Sequence, residues 1–165
     1  IQKIIQDLLV NRVYLYPPTS DTNARPCMSR PCQSPIILEV LRLTYFKEPS
    51  SVGNFYVKEL KSSLPDKPLE LEIPRSMLLM AMTAIEYVMH WWTTGRCIRV
   101  PFHVDSGVAY HMSSEIYLDD VLKKAGPLRG HRMMVNILDH VRSTAPAAED
   151  ATEDAGLVDY DNMPE

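Results

Sequence analysis

Two polar side chains lie four residues apart inside the most apolar stretch of the chain. On a helix, Glu86 and His90 would share one face, one turn apart. A carboxylate beside an imidazole could act as an acid–base pair or as half of a metal site. Either use needs a third converging polar group, which the sequence does not supply. We therefore favour an ordinary i,i+4 hydrogen bond and keep both residues as candidates for a polar groove.

A short phrase, Arg-Pro-Cys, occurs twice in the segment 19–33 and ends at Cys27 and at Cys32. Two thiols this close could form half of a zinc site, but zinc usually takes two such close pairs. The possible remaining ligands Cys97, His103 and His111 lack that spacing. We predict an ordinary surface loop and no metal. Three cysteines are few for a disulfide scaffold, which favours a reducing, intracellular compartment.

A basic cluster occupies the last apolar-periodic stretches. Its members are Lys123, Lys124, Arg129, Arg132 and Arg142. Cations gathered on one face can contact the phosphates of a polyanion. Asp119, Asp120 and Asp139 oppose them, however, and few aromatic residues interleave, so a solvated helix face is the favoured interpretation. Nucleic-acid binding stays open as an alternative.

Motifs that carry known chemistry are missing from the sequence. We find no Gly-rich phosphate loop, no Cys-x-x-Cys and no His-Glu-x-x-His. A Gly-x-Ser-x-Gly nucleophile elbow is missing as well. The sequence therefore assigns no catalytic residue, no metal and no cofactor, and an enzyme ranks third among the functional interpretations.

The stretch from Pro74 to Thr94 is the element that must position these groups. Pro74 suits the first helical position, and Gly95 suits the left-handed residue after the last turn. The intervening side chains are apolar nearly all round, which is typical of a helix buried in a core. A membrane span is excluded, since the apolar run is shorter than about 20 residues and contains Glu86 and His90. We predict one buried central helix whose narrow polar stripe reaches the surface.

Apolar spacing predicts four more helices, at about residues 1–13, 34–46, 105–125 and 128–142. Gly126-Pro127 separates the last two. Residues 69–73 alternate with period two, but an isolated strand does not build a sheet. The predicted fold class is all-α: about five helices packed around the central one, with irregular connectors and possible minor extended segments.

The charges divide the chain into two regions. Residues 145–165 hold seven acidic residues and no Lys or Arg, whereas residues 1–144 hold 17 basic and 14 acidic ones. We predict one helical domain over residues 1–144, N-terminally incomplete because it begins at Ile1, and a disordered acidic tail over 145–165.

A series of aromatic and apolar motifs runs along the chain: Tyr14-Leu15-Tyr16, Ser34-Pro35-Ile36-Ile37, Tyr45-Phe46, Ile73-Pro74, Trp92-x-x-Gly95, Phe102 and Tyr110. This pattern resembles an uncharacterised domain common in predicted proteins of basidiomycete fungi. The resemblance covers about residues 1–125. These residues specify a fold and not a reaction, so the resemblance implies no activity, cofactor or catalytic residue.

The leading functional hypothesis is a non-catalytic helical module that binds another protein or itself. Its support is the lack of a converging polar constellation, and fold alone does not name function. Nucleic-acid binding through the basic cluster is the alternative. An enzyme would require Glu86 and His90 to open into a pocket. We expect an intracellular protein with no membrane partner.

Overall fold

A computed structural model describes residues 1–19 and 25–143 of the chain. The predicted acidic tail lies outside the described residues. In the described part the protein is helical, with no β-strand, which confirms the all-α fold class. The five α-helices are α1 (Gln2–Leu9), α2 (Pro35–Leu41), α3 (Val52–Phe55), α4 (Arg75–His90) and α5 (Val104–Ser143).

The first helix is shorter than its apolar spacing predicts. After α1 the chain continues as a 3-10 helix, Val10–Leu15, in which Asn11 and Arg12 take positive φ values of 52° and 54°. Left-handed backbone at two non-glycine residues is uncommon and redirects the chain. The turn brings Arg12 and Tyr14 against α4, and Tyr14 is buried there.

The second helix begins as predicted. The Ser34 hydroxyl accepts a hydrogen bond from the Ile37 amide at 3.4 Å, and Pro35 occupies the first helical position. A π-helical turn, Arg42–Phe46, extends this element to the predicted end. Its inward residues Leu41 and Phe46 are fully buried.

The predicted start and end of the central helix are both wrong. Pro74 lies just before α4 rather than inside it, and the helix ends at His90, with residues 91–94 forming turns. The left-handed residue predicted after the last turn is present, since Gly95 has φ 84°. Leu78 and Met82 are fully buried, as expected of a core helix.

Burial of all the apolar side chains of the central helix was the other expectation, and it is wrong, since Met80 and Val88 are exposed. The solvent-exposed stripe of α4 is Ser76, Met80, Ala84 and Val88, at i,i+4 spacing. Of the predicted polar stripe, Ser76 and His90 are exposed, whereas Thr83 is buried. The reason is that α1, α2 and α5 pack on α4 from other directions, and no described element covers the solvent-exposed stripe.

The last helix, α5, is broken at one residue, Gly126. Gly126 has φ 74° and ψ 171°, a conformation almost confined to glycine, and Pro127 follows it. The first arm of α5 (residues 104–125) packs antiparallel to α4, and the second arm (residues 127–143) carries core residues such as Ile137 and Val141. Two helices predicted separately are thus joined with one residue between them.

The predicted extended segment at residues 69–73 forms no strand. It lies between α4 and the second arm, where the Ile73 amide donates to the Met134 carbonyl at 3.3 Å. Ile73 is buried in the same core as Leu118 and Leu138. This segment therefore connects the start of α4 to the second arm of α5.

Candidate functional site

Glu86 has a structural partner. The Arg12 Nη1 donates to Glu86 Oε2 at 2.8 Å, and the Tyr14 hydroxyl donates to the same oxygen at 3.2 Å. Arg12 also donates to Ser113 and lies over the Tyr117 ring, 5.5 Å from its centroid. The side chains of Arg12 and Glu86 are only 15% and 13% exposed, so this ion pair is largely withdrawn from water.

The tyrosine in this network stays a hydrogen-bond donor. Burial and the neighbouring Glu86 charge raise the pKa of Tyr14 well above its ordinary value, although Arg12 acts in the opposite direction. A protonated phenol can then serve only to hold the carboxylate. The network links the turn after α1 to both α4 and α5.

The i,i+4 hydrogen bond predicted between Glu86 and His90 is not formed, and His90 has a different partner. The imidazole is exposed and stacks on Tyr110, with ring centroids 4.9 Å apart and planes 27° apart. Within the described residues no hydrogen bond joins His90 to Glu86. Neither residue lines either of the two cavities described next.

A cavity of about 700 Å³ lies where the break in α5 meets the loop before α2. Three members of the predicted basic cluster line it, namely Lys124, Arg129 and Arg132, whereas Lys123 and Arg142 do not. A fourth cation, Arg30, joins them from the loop. We call this cavity the basic basin; its cations are Arg30, Lys124, Arg129 and Arg132.

Sequence reasoning missed Arg30 because it lies far from the others along the chain. The repeated Arg-Pro-Cys phrase drew attention to the loop for its thiols, not for its guanidinium groups. In the basin Asp120 is the lining carboxylate, and it bonds Lys124 at 2.7 Å. Tyr117 donates its hydroxyl hydrogen to the Tyr16 oxygen at 2.6 Å on the same wall.

A second cavity, of about 620 Å³, contains a histidine that the sequence did not single out. His131 is only 2% exposed, and each ring nitrogen faces a carboxylate. Nδ1 lies 2.5 Å from Glu72 Oε1, and Nε2 lies 2.8 Å from Glu70 Oε2. The hydrogen bonds that the ring donates to Glu72 and to Glu70, in that order of importance, raise the pKa of His131.

This arrangement of His131 and two glutamates is a structural contact rather than a catalytic dyad. Two carboxylates can both accept from the ring only when both nitrogens carry hydrogen, so this geometry favours the imidazolium form of His131, in agreement with its raised pKa. An imidazolium bonded at both nitrogens has no lone pair with which to accept a proton. The trio therefore fastens residues 70–72 to the second arm of α5.

The thiols of the loop do not gather into a metal site. Cys32 is buried, and burial raises its pKa to about 12, which disfavours the thiolate that a metal needs. Cys27 is half-buried beside Ser29, and Cys97 is exposed. Across the described ranges 1–19 and 25–143, no three His, Cys, Asp or Glu side chains are placed to hold a metal ion.

The antiparallel pair of α4 and the first arm of α5 carries several exposed apolar side chains, among them Met80 and Met112. Arg75 bonds Glu115 at one end, and the Thr83 hydroxyl lies 3.4 Å from His111 Nδ1 midway. At the other end the rings of Tyr87 and Phe102 have centroids 4.9 Å apart. These three contacts fix which residues of the two helices lie level with each other.

Several exposed residues on or next to this pair are apolar, and none of them is among the hydrogen-bond or ring contacts of Arg12. We call them the apolar face: Met80, Ala84, Val88, Phe102, Val108 and Met112. Met80 and Met112 are 54% and 55% exposed, and the Phe102 ring is 61% exposed although it rests on Gly107. Val104 and Ile116 continue the stripe along α5.

Comparisons with known proteins identify a family over most of the chain. The family model for a domain of unknown function (DUF6532) matches residues 1–112. No curated protein and no solved structure matches the chain. The matched range contains the Arg12–Glu86 network and the apolar face, but only the Arg30 side of the basic basin. In the described part no helix is long and apolar enough to cross a membrane.

Proposed function

The chain belongs to the family of the domain of unknown function DUF6532, and we propose that it is a non-catalytic module that associates with a second copy of itself through the apolar face. The single observation that carries this proposal is the exposure of that face. Met80, Val88, Phe102, Val108 and Met112 are each between 43% and 61% exposed. Contiguous exposed apolar surface on a protein of this size is typical of an interaction site.

The geometry of the face suits helix packing. Two antiparallel helices with apolar side chains at i,i+4 spacing present the ridges that a second helix pair needs for a four-helix arrangement. Ala84 lies between Met80 and Val88, so its small side chain permits close approach. Burying each large apolar side chain contributes about 1.5–3 kcal/mol, which must exceed the entropic cost of association.

The charges at the two ends of the face favour a second copy over an unrelated partner. At one end Glu115 and Asp119 share Arg75, which leaves a net negative charge. At the other end Arg96 and Arg99 lie in the connector before α5 and leave a net positive charge against Asp105. A two-fold axis through the middle of the face would place the negative end of one copy against the positive end of the other.

Analytical ultracentrifugation of the full chain tests this proposal. We expect dimers at about 100 μM, a concentration at which a Kd of about 10 μM leaves most chains paired. Met80→Glu and Met112→Glu each place a charge in the face and should give monomers with an unchanged circular-dichroism spectrum. Leu69→Glu is the matched control, because Leu69 is 91% exposed outside the face.

Two results would contradict self-association. One is a monomeric wild-type protein at that concentration, which would leave the face to a different protein. The other is a dimer that Met80→Glu, Met112→Glu and Leu69→Glu all leave intact, because the contact would then lie elsewhere.

A further inference from the structure

We propose that the basic basin binds a small organic phosphate, held by its phosphate groups against Arg30, Arg129 and Arg132. This site lies away from the apolar face and does not depend on self-association. Lys124 borders it as a fourth cation. The proposal rests on three observations, which are the convergence of cations, the lack of carboxylate partners for the three arginines among the described residues and the composition of the floor.

The cations converge from two separate elements. Arg129 and Arg132 are three residues apart on the second arm of α5, so they lie side by side on one face. Arg30 approaches from the loop before α2 and lines the same cavity. A guanidinium group can donate two parallel hydrogen bonds to a phosphate, and three such groups around one cavity suit a highly charged oxyanion.

The guanidinium groups of Arg30, Arg129 and Arg132 form no ion pair with the described residues. Arg30 donates to Gln33 through a long hydrogen bond of 3.5 Å, whereas none of the described residues bonds Arg129 or Arg132. The carboxylate in the lining, Asp120, is paired with Lys124. Within the described part of the chain, the three arginines therefore have no carboxylate to offset their mutual repulsion, and a bound anion would offset it.

The remaining lining favours an organic rather than an inorganic phosphate. Val121 and Met133 form an apolar floor, and Met133 is buried. Asn136 and the Tyr16–Tyr117 hydroxyl pair supply hydrogen-bonding groups at the edge. A volume of about 700 Å³ falls in the range of small-molecule sites, with room for a ring beside the phosphates.

Isothermal titration calorimetry on the full chain at low salt tests the proposal with pyrophosphate, ADP and a mixed single-stranded oligonucleotide. We expect pyrophosphate to bind and ADP to bind more tightly, because only ADP covers the apolar floor. Arg129→Gln and Arg132→Gln should each weaken both by about tenfold or more, as expected for the loss of charge-assisted hydrogen bonds. Thermal unfolding confirms that each variant is folded.

Lys123→Gln and Arg142→Gln are matched controls, because they remove the same charge from α5 outside the basin. Each should change the ADP affinity by less than twofold. No pyrophosphate binding would overturn the proposal, and equal affinity for ADP and pyrophosphate would overturn the role of the floor. If the control variants and the basin variants lose affinity equally and the oligonucleotide binds most tightly, the basin is not a specific site and the cations form a diffuse nucleic-acid-binding surface.

Discussion

The ion pair between Arg12 and Glu86 offers a sharp test of whether Glu86 is structural. The pair is joined at 2.8 Å, and both side chains are largely buried. Glu86→Leu removes the carboxylate and leaves the guanidinium of Arg12 without its partner in a poorly hydrated place. We therefore expect a stability loss that follows from the unpaired charge and not from any lost reaction.

The magnitude follows from the contacts. Breaking a fully buried pair by removing one partner costs about 3–5 kcal/mol. Because Arg12 is 15% exposed and keeps its bond to Ser113, we place the loss for Glu86→Leu near the lower limit, at about 3 kcal/mol. For a domain of this length that loss lowers the melting temperature by roughly 6–12 °C.

A double-mutant cycle separates the pair from its surroundings. Urea unfolding of Glu86→Leu, Arg12→Met and the double variant gives the coupling free energy, which we expect to exceed about 1.5 kcal/mol. The double variant should be more stable than the two single losses predict, because an apolar pair leaves no buried charge. Additive losses, or a Glu86→Leu variant as stable as wild type, would refute the reasoning.

Three further predictions concern the backbone, a buried histidine and the thiols. Gly126→Ala should destabilise the protein by about 1–3 kcal/mol in urea unfolding, since φ 74° and ψ 171° strain any side chain while no atom lies within 4 Å of the added methyl group; an unchanged midpoint would show that the break relaxes. Because its native pKa is raised, His131 should contribute stability that is complete below its ordinary pKa of 6.5 and is lost as pH rises through the raised value. Its partners Glu70 and Glu72 have lowered pKa values, so their contribution is present above 4.5 and is lost as pH falls through the lowered values. Because of His131, the unfolding midpoint of wild type should fall more steeply than that of His131→Gln as pH rises from 6.5 through the raised pKa, and parallel curves would contradict a structural role for this trio. Iodoacetamide should label exposed Cys97 in the native protein and spare Cys32 until urea unfolds the chain, as read by mass spectrometry; native labelling of Cys32 would show that its burial is wrong.

Much of the helical framework could be predicted from residue spacing. Ser34-Pro35 favours a helix start, because the hydroxyl and the ring satisfy local backbone requirements. The structure also confirms the left-handed residue predicted at Gly95 and the helix break predicted at Gly126-Pro127. The family resemblance is confirmed over residues 1–112, while its fungal source stays a prediction.

The candidate sites were less accessible to such reasoning. Glu86 was singled out for its spacing to His90, but its partner is Arg12, which lies 74 residues away in sequence. Local periodicity cannot reveal such a pairing, since it depends on two residues with positive φ that turn the chain after α1. For the same reason Arg30 was not grouped with Arg129 and Arg132.

The sequence alone determined where α2, most of α4 and the two arms of α5 form, because caps, breakers and apolar spacing act within a few residues. Only the tertiary structure decided which side of each helix meets water. Met80 and Val88 are as apolar as their buried neighbours, and they are exposed because the packing partners of α4 approach from other directions. The same long-range packing buried His131 between two glutamates, since partners distant in sequence meet only when the helices pack.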